Sequence, residues 1–266
     1  MKIKPKKSLG QNFLRDNTFI EKILTCTNLP NATEIIEIGP GDGALTNYLA
    51  NTNKKFRGIE IDSKLHSILN NKFSDNNNME FINADILAVD LHKFSSEKLI
   101  VFGNLPYNIS SQIILKILEE DFVFLECIFL VQKEMAERFI SKKEKQNKLS
   151  LITEYFGTIH EIFDIPPEAF HPKPKVTSTL IRLVKNNKDR GLNYQNFKMI
   201  LTKCFANPRK KIKAGLKALN LEEEVTICSL AKKNEEIFIP GFTKSLDTDE
   251  NQKGVLLLRR VRDEAH

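Results

Sequence analysis

A short apolar run, Leu99-Ile100-Val101-Phe102, leads into Gly103-Asn104-Leu105-Pro106-Tyr107, and these residue types could do chemistry together. The Asn104 carboxamide oxygen and the Leu105 backbone carbonyl are acceptors able to take the two hydrogens of an amine. Pro106 stiffens the turn by fixing its own φ. Tyr107 offers a flat face on which a splayed-out base can stack, a contact worth about 1–3 kcal/mol per base. Read blandly, the tetrapeptide is a strand end followed by a turn, so its position has to decide.

A second constellation precedes it. Glu37-Ile38-Gly39-Pro40-Gly41-Asp42-Gly43 ends an apolar run and opens a helix. Gly39 and Gly41 let the backbone turn sharply and let a ligand approach, and the helix N-terminus offers unpaired N–H groups. A dinucleotide fingerprint has its third glycine three residues after the second; here Gly43 follows Gly41 by two, so a nicotinamide cofactor fits poorly. The spacing looks like that of S-adenosylmethionine methyltransferases. Glu60 ends the next strand, where an acid can accept from both ribose hydroxyls. Asp85 ends the third, where it could take the adenine amino group, and Ile61 and Ile86 follow these acids as further cofactor contacts. Each feature alone reads equally as a tight turn or a cap. Three of them at the carboxyl ends of successive strands make a binding crevice, and Asn104, on the strand after, stands where the methyl should point.

With these residues in view the chain resembles the ribosomal RNA adenine dimethylases. Asn104-Leu105-Pro106-Tyr107 is similar to the motif of enzymes that methylate exocyclic amines of bases, and Asn108-Ile109-Ser110 narrows the likeness. Lys7-Ser8-Leu9-Gly10-Gln11-Asn12-Phe13-Leu14-Arg15-Asp16 is nearly the family's opening motif. There the resemblance implies that Gln11, Asn12 and Leu14 close over the cofactor. Phe170-His171-Pro172-Lys173-Pro174-Lys175-Val176-Thr177-Ser178 matches the family's Phe-x-Pro-x-Pro-x-Val-x-Ser loop. It implies that Phe170 and Tyr107 sandwich the target adenine, although core packing is the commoner fate of one Phe. An adenine amine is a poor nucleophile, so two acceptors holding its hydrogens would favour a more tetrahedral nitrogen. No general base is required, and alignment does most of the catalysis. The likeness covers Lys7 to about Leu219 and weakens beyond; from about Lys232 the tail departs from the family pattern.

The substrate implied is small-subunit ribosomal RNA in a pre-ribosomal particle, in the cytoplasm, bound by a monomer. Phe205-Ala206-Asn207-Pro208-Arg209-Lys210-Lys211-Ile212-Lys213 supplies cations at a helical start, with Ile212 on its apolar side, for a phosphate backbone. Lys173 and Lys175 are further RNA contacts, and a merely solvated basic face is the rival. Rival functions are the large-subunit adenine methyltransferases of macrolide resistance, which tend to Ile in place of Leu105, and a non-catalytic RNA-binding assembly factor.

The elements that must position these residues follow from pattern. Short apolar runs at Glu34–Ile38, Lys55–Ile61, Met79–Ala84, Leu99–Gly103 and Leu125–Val131 alternate with amphipathic stretches. That is the pattern of an α/β, Rossmann-like parallel sheet. A strand pair is expected near Glu161–Ile165 and Ser178–Val184, and helices after Asp16, Asp42, Ser63 and Ser110. The polar run at Lys185–Gly191 sets a boundary between a methyltransferase domain, 1–186, and a small helical domain, 187–266. The four-lysine run Lys142–Lys148 reads as a loop inside the first domain. A net charge of +6 and a pI near 9.0 favour an anionic partner. Cys26, Cys127, Cys204 and Cys228 lie too far apart for a zinc or redox pair, and no apolar run is long enough to span a membrane.

Overall fold

The structure, a computed structural model, describes residues 5–6, 9–120, 122–140, 147–186 and 194–205. The chain divides into two compact units, Met1–Ile140 with Phe156–Asn186, and Ser141–Tyr155 with Asn187–His266. The strands are β1 (Phe13–Leu14), β2 (Glu34–Ile38), β3 (Lys55–Glu60), β4 (Met79–Asn83), β5 (Leu99–Asn104), β6 (Glu126–Gln132), β7 (Gly157–Ile165), β8 (Phe170–His171) and β9 (Ser178–Lys185). The helices are α1 (Asn17–Thr25), α2 (Thr46–Leu49), α3 (Ser63–Lys72), α4 (Ser110–Glu119), α5 (Lys133–Phe139), α6 (Lys148–Phe156) and α7 (Tyr194–Cys204).

Seven strands of the first unit form one sheet in the order β4-β3-β2-β5-β6-β9-β7. The first five are parallel, and β9 runs antiparallel to both β6 and β7. The central strands are apolar on both faces: Ile35, Ile36, Ile100, Val101 and Phe102 are all buried, the signature of a parallel sheet covered on both sides. The expected Rossmann-like α/β fold is present. Chain order reverses between β2 and β5, and a crevice for ligands opens at the carboxyl ends of strands at such a switch point. Ile38 pairs with Gly103 there, so the glycine loop and Asn104 emerge side by side.

Two expectations need correction. The helix placed directly after Asp42 starts at Thr46, because Gly41 and Gly43 have φ of +62° and +82°, outside the helical range. Strand β7 begins at Gly157, well before Glu161, and breaks register between Glu161 and Phe163; that irregularity hides the alternation. Of the run Lys142–Lys148, residues 142–146 lie outside the described residues, and Ser141–Tyr155 group with the second unit. In that unit Tyr155 of α6 stacks on Phe197 of α7 with ring centroids 5.1 Å apart, and Lys148 Nζ donates to Thr202 Oγ1 at 3.0 Å. Cys26, Cys127 and Cys204 are free thiols, while Cys228 lies outside the described residues.

Under the glycine loop, Glu37 of β2 is buried and accepts a hydrogen bond of 2.6 Å from the Thr46 hydroxyl at the start of α2. Burial, with smaller repulsion from Glu60 and Asp42, pushes its pKa from 4.5 to about 8. The folded state therefore holds a proton that the unfolded chain releases, and stability falls as pH rises between these values. We expect Glu37→Gln, which keeps an acceptor for Thr46, to gain thermal stability over the parent. The gain should be small below pH 4.5 and grow by on the order of 1 kcal/mol per pH unit towards pH 8. Melting curves at several pH values check this; a difference flat across that window would contradict it.

Candidate active site

At the carboxyl ends of β2, β3 and β5 lies a cleft of about 510 Å³, open to solvent and lined by Leu9–Phe13, Gly39, Gly41, Glu60, Ile61 and Asn104–Tyr107. Its floor is the glycine loop. Gly39 has φ +66°, and a Cβ added there would meet nothing within 4 Å, so a ligand can rest directly on the backbone. Gly41 is shaped from above instead: a Cβ would stand 2.9 Å from the Phe13 ring.

Glu60 closes one end. Its Oε2 accepts the Gly41 N–H and its Oε1 the Asp62 N–H, each at 2.9 Å. Burial raises its pKa, with the backbone bonds opposing that rise. As acceptors at the cleft wall, its oxygens are of the type that takes a hydroxyl pair such as a ribose presents. Ile61 is 49% exposed beside it and offers an apolar face to a flat ring.

Lys6 and residues 9–15 border the cleft as a strap. Lys6 Nζ pairs with Asp62 Oδ2 at 2.9 Å, and Gln11 Nε2 donates to the same oxygen at 3.4 Å. Burial works against the Asp62 charge, yet bonds from Lys6, the Lys64 N–H and Gln11 outweigh it and hold the carboxyl below its usual range. Arg15 pairs with the largely buried Asp42. β1 pairs antiparallel with β8, Leu14 opposite Phe170, so an arm expected to fray is tied down at both ends. Gly10, at φ +64°, presses on the catalytic turn: a Cβ there would meet Asn108 Oδ1 at 3.0 Å and Pro106 Cβ at 3.4 Å.

The strap also sets the orientation of Asn104. Asn104 Nδ2 donates to the Asn12 carbonyl at 2.7 Å, which turns the amide's donor end to the strap and leaves Oδ1 as the end able to accept. The Leu105 N–H is bound to the Leu130 carbonyl at 3.0 Å, fixing the plane of the neighbouring peptide. Tyr107 is half-buried, and its hydroxyl lies 2.7 Å from Ser178 Oγ.

Of the residues singled out in the sequence, Gln11, Asn12, Gly39, Gly41, Glu60, Ile61, Asn104, Leu105, Pro106 and Tyr107 meet at this cleft. Four do not line it. Asp85 is exposed, and its Oδ1 accepts the Leu87 N–H at 2.9 Å; it follows the edge strand β4, outermost from the switch point. Ile86 and Leu14 are buried, and Phe170 is only 4% exposed, packed with Leu14, Ile20 and Leu180. The sandwich of Phe170 and Tyr107 stays a proposal, with the Phe170 ring buried in this structure. Lys173 pairs with Glu168 on the surface, and Lys175 is exposed. Arg209, Lys210, Lys211 and Lys213 lie outside the described residues. Leu9, Gly10 and Phe13 line the cleft unanticipated, as does the support from Asp62. The signal for the first three was adjacency to Gln11 and Asn12; for Asp62 it was a carboxylate two residues after Glu60.

Comparison with known proteins agrees with this geometry. The sequence matches the family "Ribosomal RNA adenine dimethylase" over residues 2–237. A second match, to the "UvrC RNAse H endonuclease domain", covers 209–266 and overlaps the first over 209–237. The "Ribosomal RNA small subunit methyltransferase A" of Francisella tularensis subsp. novicida is 38% identical over 230 residues, spanning 84% of this chain and 88% of that one. A dimethyladenosine transferase from Plasmodium falciparum superposes with a TM-score of 0.71 at 25% identity, over 95% of this chain and 98% of the other. The 23S rRNA methyltransferase ErmE shares the fold, with a TM-score of 0.66 at 23% identity over 94% and 99%.

The half-exposed Lys6–Asp62 pair is the strap's outer fastening. Lys6→Ala should weaken S-adenosylmethionine binding about three- to tenfold in calorimetric titration, the loss expected when a hydrogen-bonded charge pair on a lid is removed. Unchanged affinity would mean that the strap stays shut without it.

Proposed function

Because this chain belongs to the ribosomal RNA adenine dimethylase family, we propose that it methylates N6 of two adjacent adenosines in the hairpin loop near the 3′ end of 16S rRNA, giving each two methyl groups. The reading places it in the cytoplasm, acting as a monomer on a partly assembled small subunit. The enzyme class itself is that of the family, an S-adenosylmethionine-dependent rRNA (adenine-N6,N6)-dimethyltransferase.

The cofactor fits the cleft by its open backbone floor at Gly39, the two acceptor oxygens of Glu60 and the apolar face of Ile61. When bound, it supplies an electrophilic methyl group on a sulfonium, already a good leaving group. The chain's task is then to present the amine. Asn104 Oδ1 and the Leu105 carbonyl take its two hydrogens, Tyr107 stacks on the ring, and the strap keeps water out of the gap. N6 gains the methyl and sheds a proton afterwards, so no residue has to act as a strong base. A once-methylated amine still has one hydrogen for one of the two acceptors, which lets the same site serve the second transfer.

The observation that carries this reading is the bond from Asn104 Nδ2 to the Asn12 carbonyl, because it leaves the acceptor end of the amide for the substrate. Asn104→Ala should lower transfer more than about a hundredfold while leaving cofactor binding detectable, as removal of one preorganised transition-state partner does elsewhere. Tritiated methyl transfer to unmethylated small and large subunits, followed by nucleoside mass spectrometry, tests both. Label as dimethyladenosine in small-subunit RNA is expected. Label in large subunits would support the macrolide-resistance type, no label an assembly factor, and an active Asn104→Ala would refute the role given to Asn104.

A further inference from the structure

Ser178 is completely buried at the first position of β9, and burying a hydroxyl without a partner is costly. Its Oγ meets the Tyr107 hydroxyl at 2.7 Å, across 71 residues of chain. Ser178 cannot move easily: it is paired with Gln132 of β6 on one side and Ile165 of β7 on the other. Just before it, the Thr177 carbonyl accepts the Lys133 N–H at 3.1 Å. Tyr107, by contrast, sits in a turn between β5 and α4, with its ring bordering the open cleft. Among the described residues, the bond to Ser178 is the only hydrogen bond its side chain makes.

We propose that Ser178 is a positioning residue for base recognition, anchoring the Tyr107 hydroxyl to the rigid end of β9 and so holding the ring where the extruded base must stack. The inference rests on Tyr107 being the stacking platform of the proposed function. A para-hydroxyl fixed at one point sets the direction of the ring axis, removing χ1 swings, while the sides of the ring remain free to face the cleft. The anchor comes from the segment that ends the Phe170–Ser178 loop, so that loop contributes through its last residue.

The test uses Ser178→Ala, Ser178→Thr, Tyr107→Phe and the double variant Ser178→Ala/Tyr107→Phe in the full chain. Ser178→Ala and Tyr107→Phe should each lower kcat/KM for small subunits about three- to tenfold, the scale of one hydrogen bond. S-adenosylhomocysteine affinity should stay within about twofold. The double variant should lose no more than either single one, since both remove the same bond. Ser178→Thr keeps the hydroxyl on a β-compatible side chain and should restore activity. A readout independent of RNA comes from 3-fluorotyrosine labelling: the chain has four tyrosines, Tyr107→Phe identifies one fluorine resonance, and Ser178→Ala should shift or broaden that line. An active wild type with Ser178→Ala matching it in rate and line position overturns the inference, as do losses that multiply in the double variant. Should Ser178→Ala fail to fold, Tyr107→Phe with full activity overturns it equally. A wild-type protein that methylates no rRNA sinks the functional reading instead.

Discussion

Strands β2 and β5 run side by side and parallel, Ile38 opposite Gly103, at the place where chain order turns back on itself. Each strand releases its loop on the same edge of the sheet. From β2 comes a glycine turn with open space above Gly39; from β5 come the carboxamide of Asn104 and the carbonyl of Leu105. Shifting that register by one residue would turn every side chain of one strand to the other face and carry the acceptors away from the cofactor loop. Buried Ile35, Ile36 and Ile38 on β2 and Ile100 and Val101 on β5 hold the two strands in the core, so the packing of the core and the geometry of the chemistry are one constraint.

The strap over the cleft adds a second dependence. The same segment touches the end of β3 through Lys6 and Gln11, the glycine loop through Phe13 and Arg15, and the catalytic turn through Gly10 and Asn12. Bordering the cleft and orienting the Asn104 amide are thus done by one segment. An open strap would leave that amide free to turn its donor end toward the amine, so closure and competence are linked physically. The buried carboxylates nearby, Glu37, Glu60 and Asp42, have pKa values pushed up by burial, while Lys6 and Arg15 bring compensating charge on the strap itself.

Much of this was legible in the sequence because the parallel strands are short, apolar and bounded by glycine or acids, and because side chains at their carboxyl ends converge by topology. Glu60 and Asn104 could be placed from that rule alone. That rule does not say which strand is at the edge, so it could not foresee that Asp85 follows the edge strand β4, where its Oδ1 accepts the Leu87 N–H. The burial of Phe170 depends on what Leu14 brings across from β1, a pairing of two-residue strands that carries no periodicity. The bond between Ser178 and Tyr107 is equally invisible in one dimension, being a contact between residues 71 apart. The assignment of 141–155 to the second unit follows from packing partners such as Tyr155 and Phe197, which no local pattern announces.

The central claim is that Asn104 presents an acceptor to an amine held over the glycine loop, and one structure tests it most directly. Crystals of the protein with sinefungin and an RNA hairpin carrying the target adenosines would give the distance from N6 to each end of the Asn104 amide. The expected result is N6 within about 2.7–3.2 Å of both Asn104 Oδ1 and the Leu105 carbonyl, with sinefungin lying over Gly39. A base whose amine faces Nδ2, or an analogue bound away from Gly39, would contradict it.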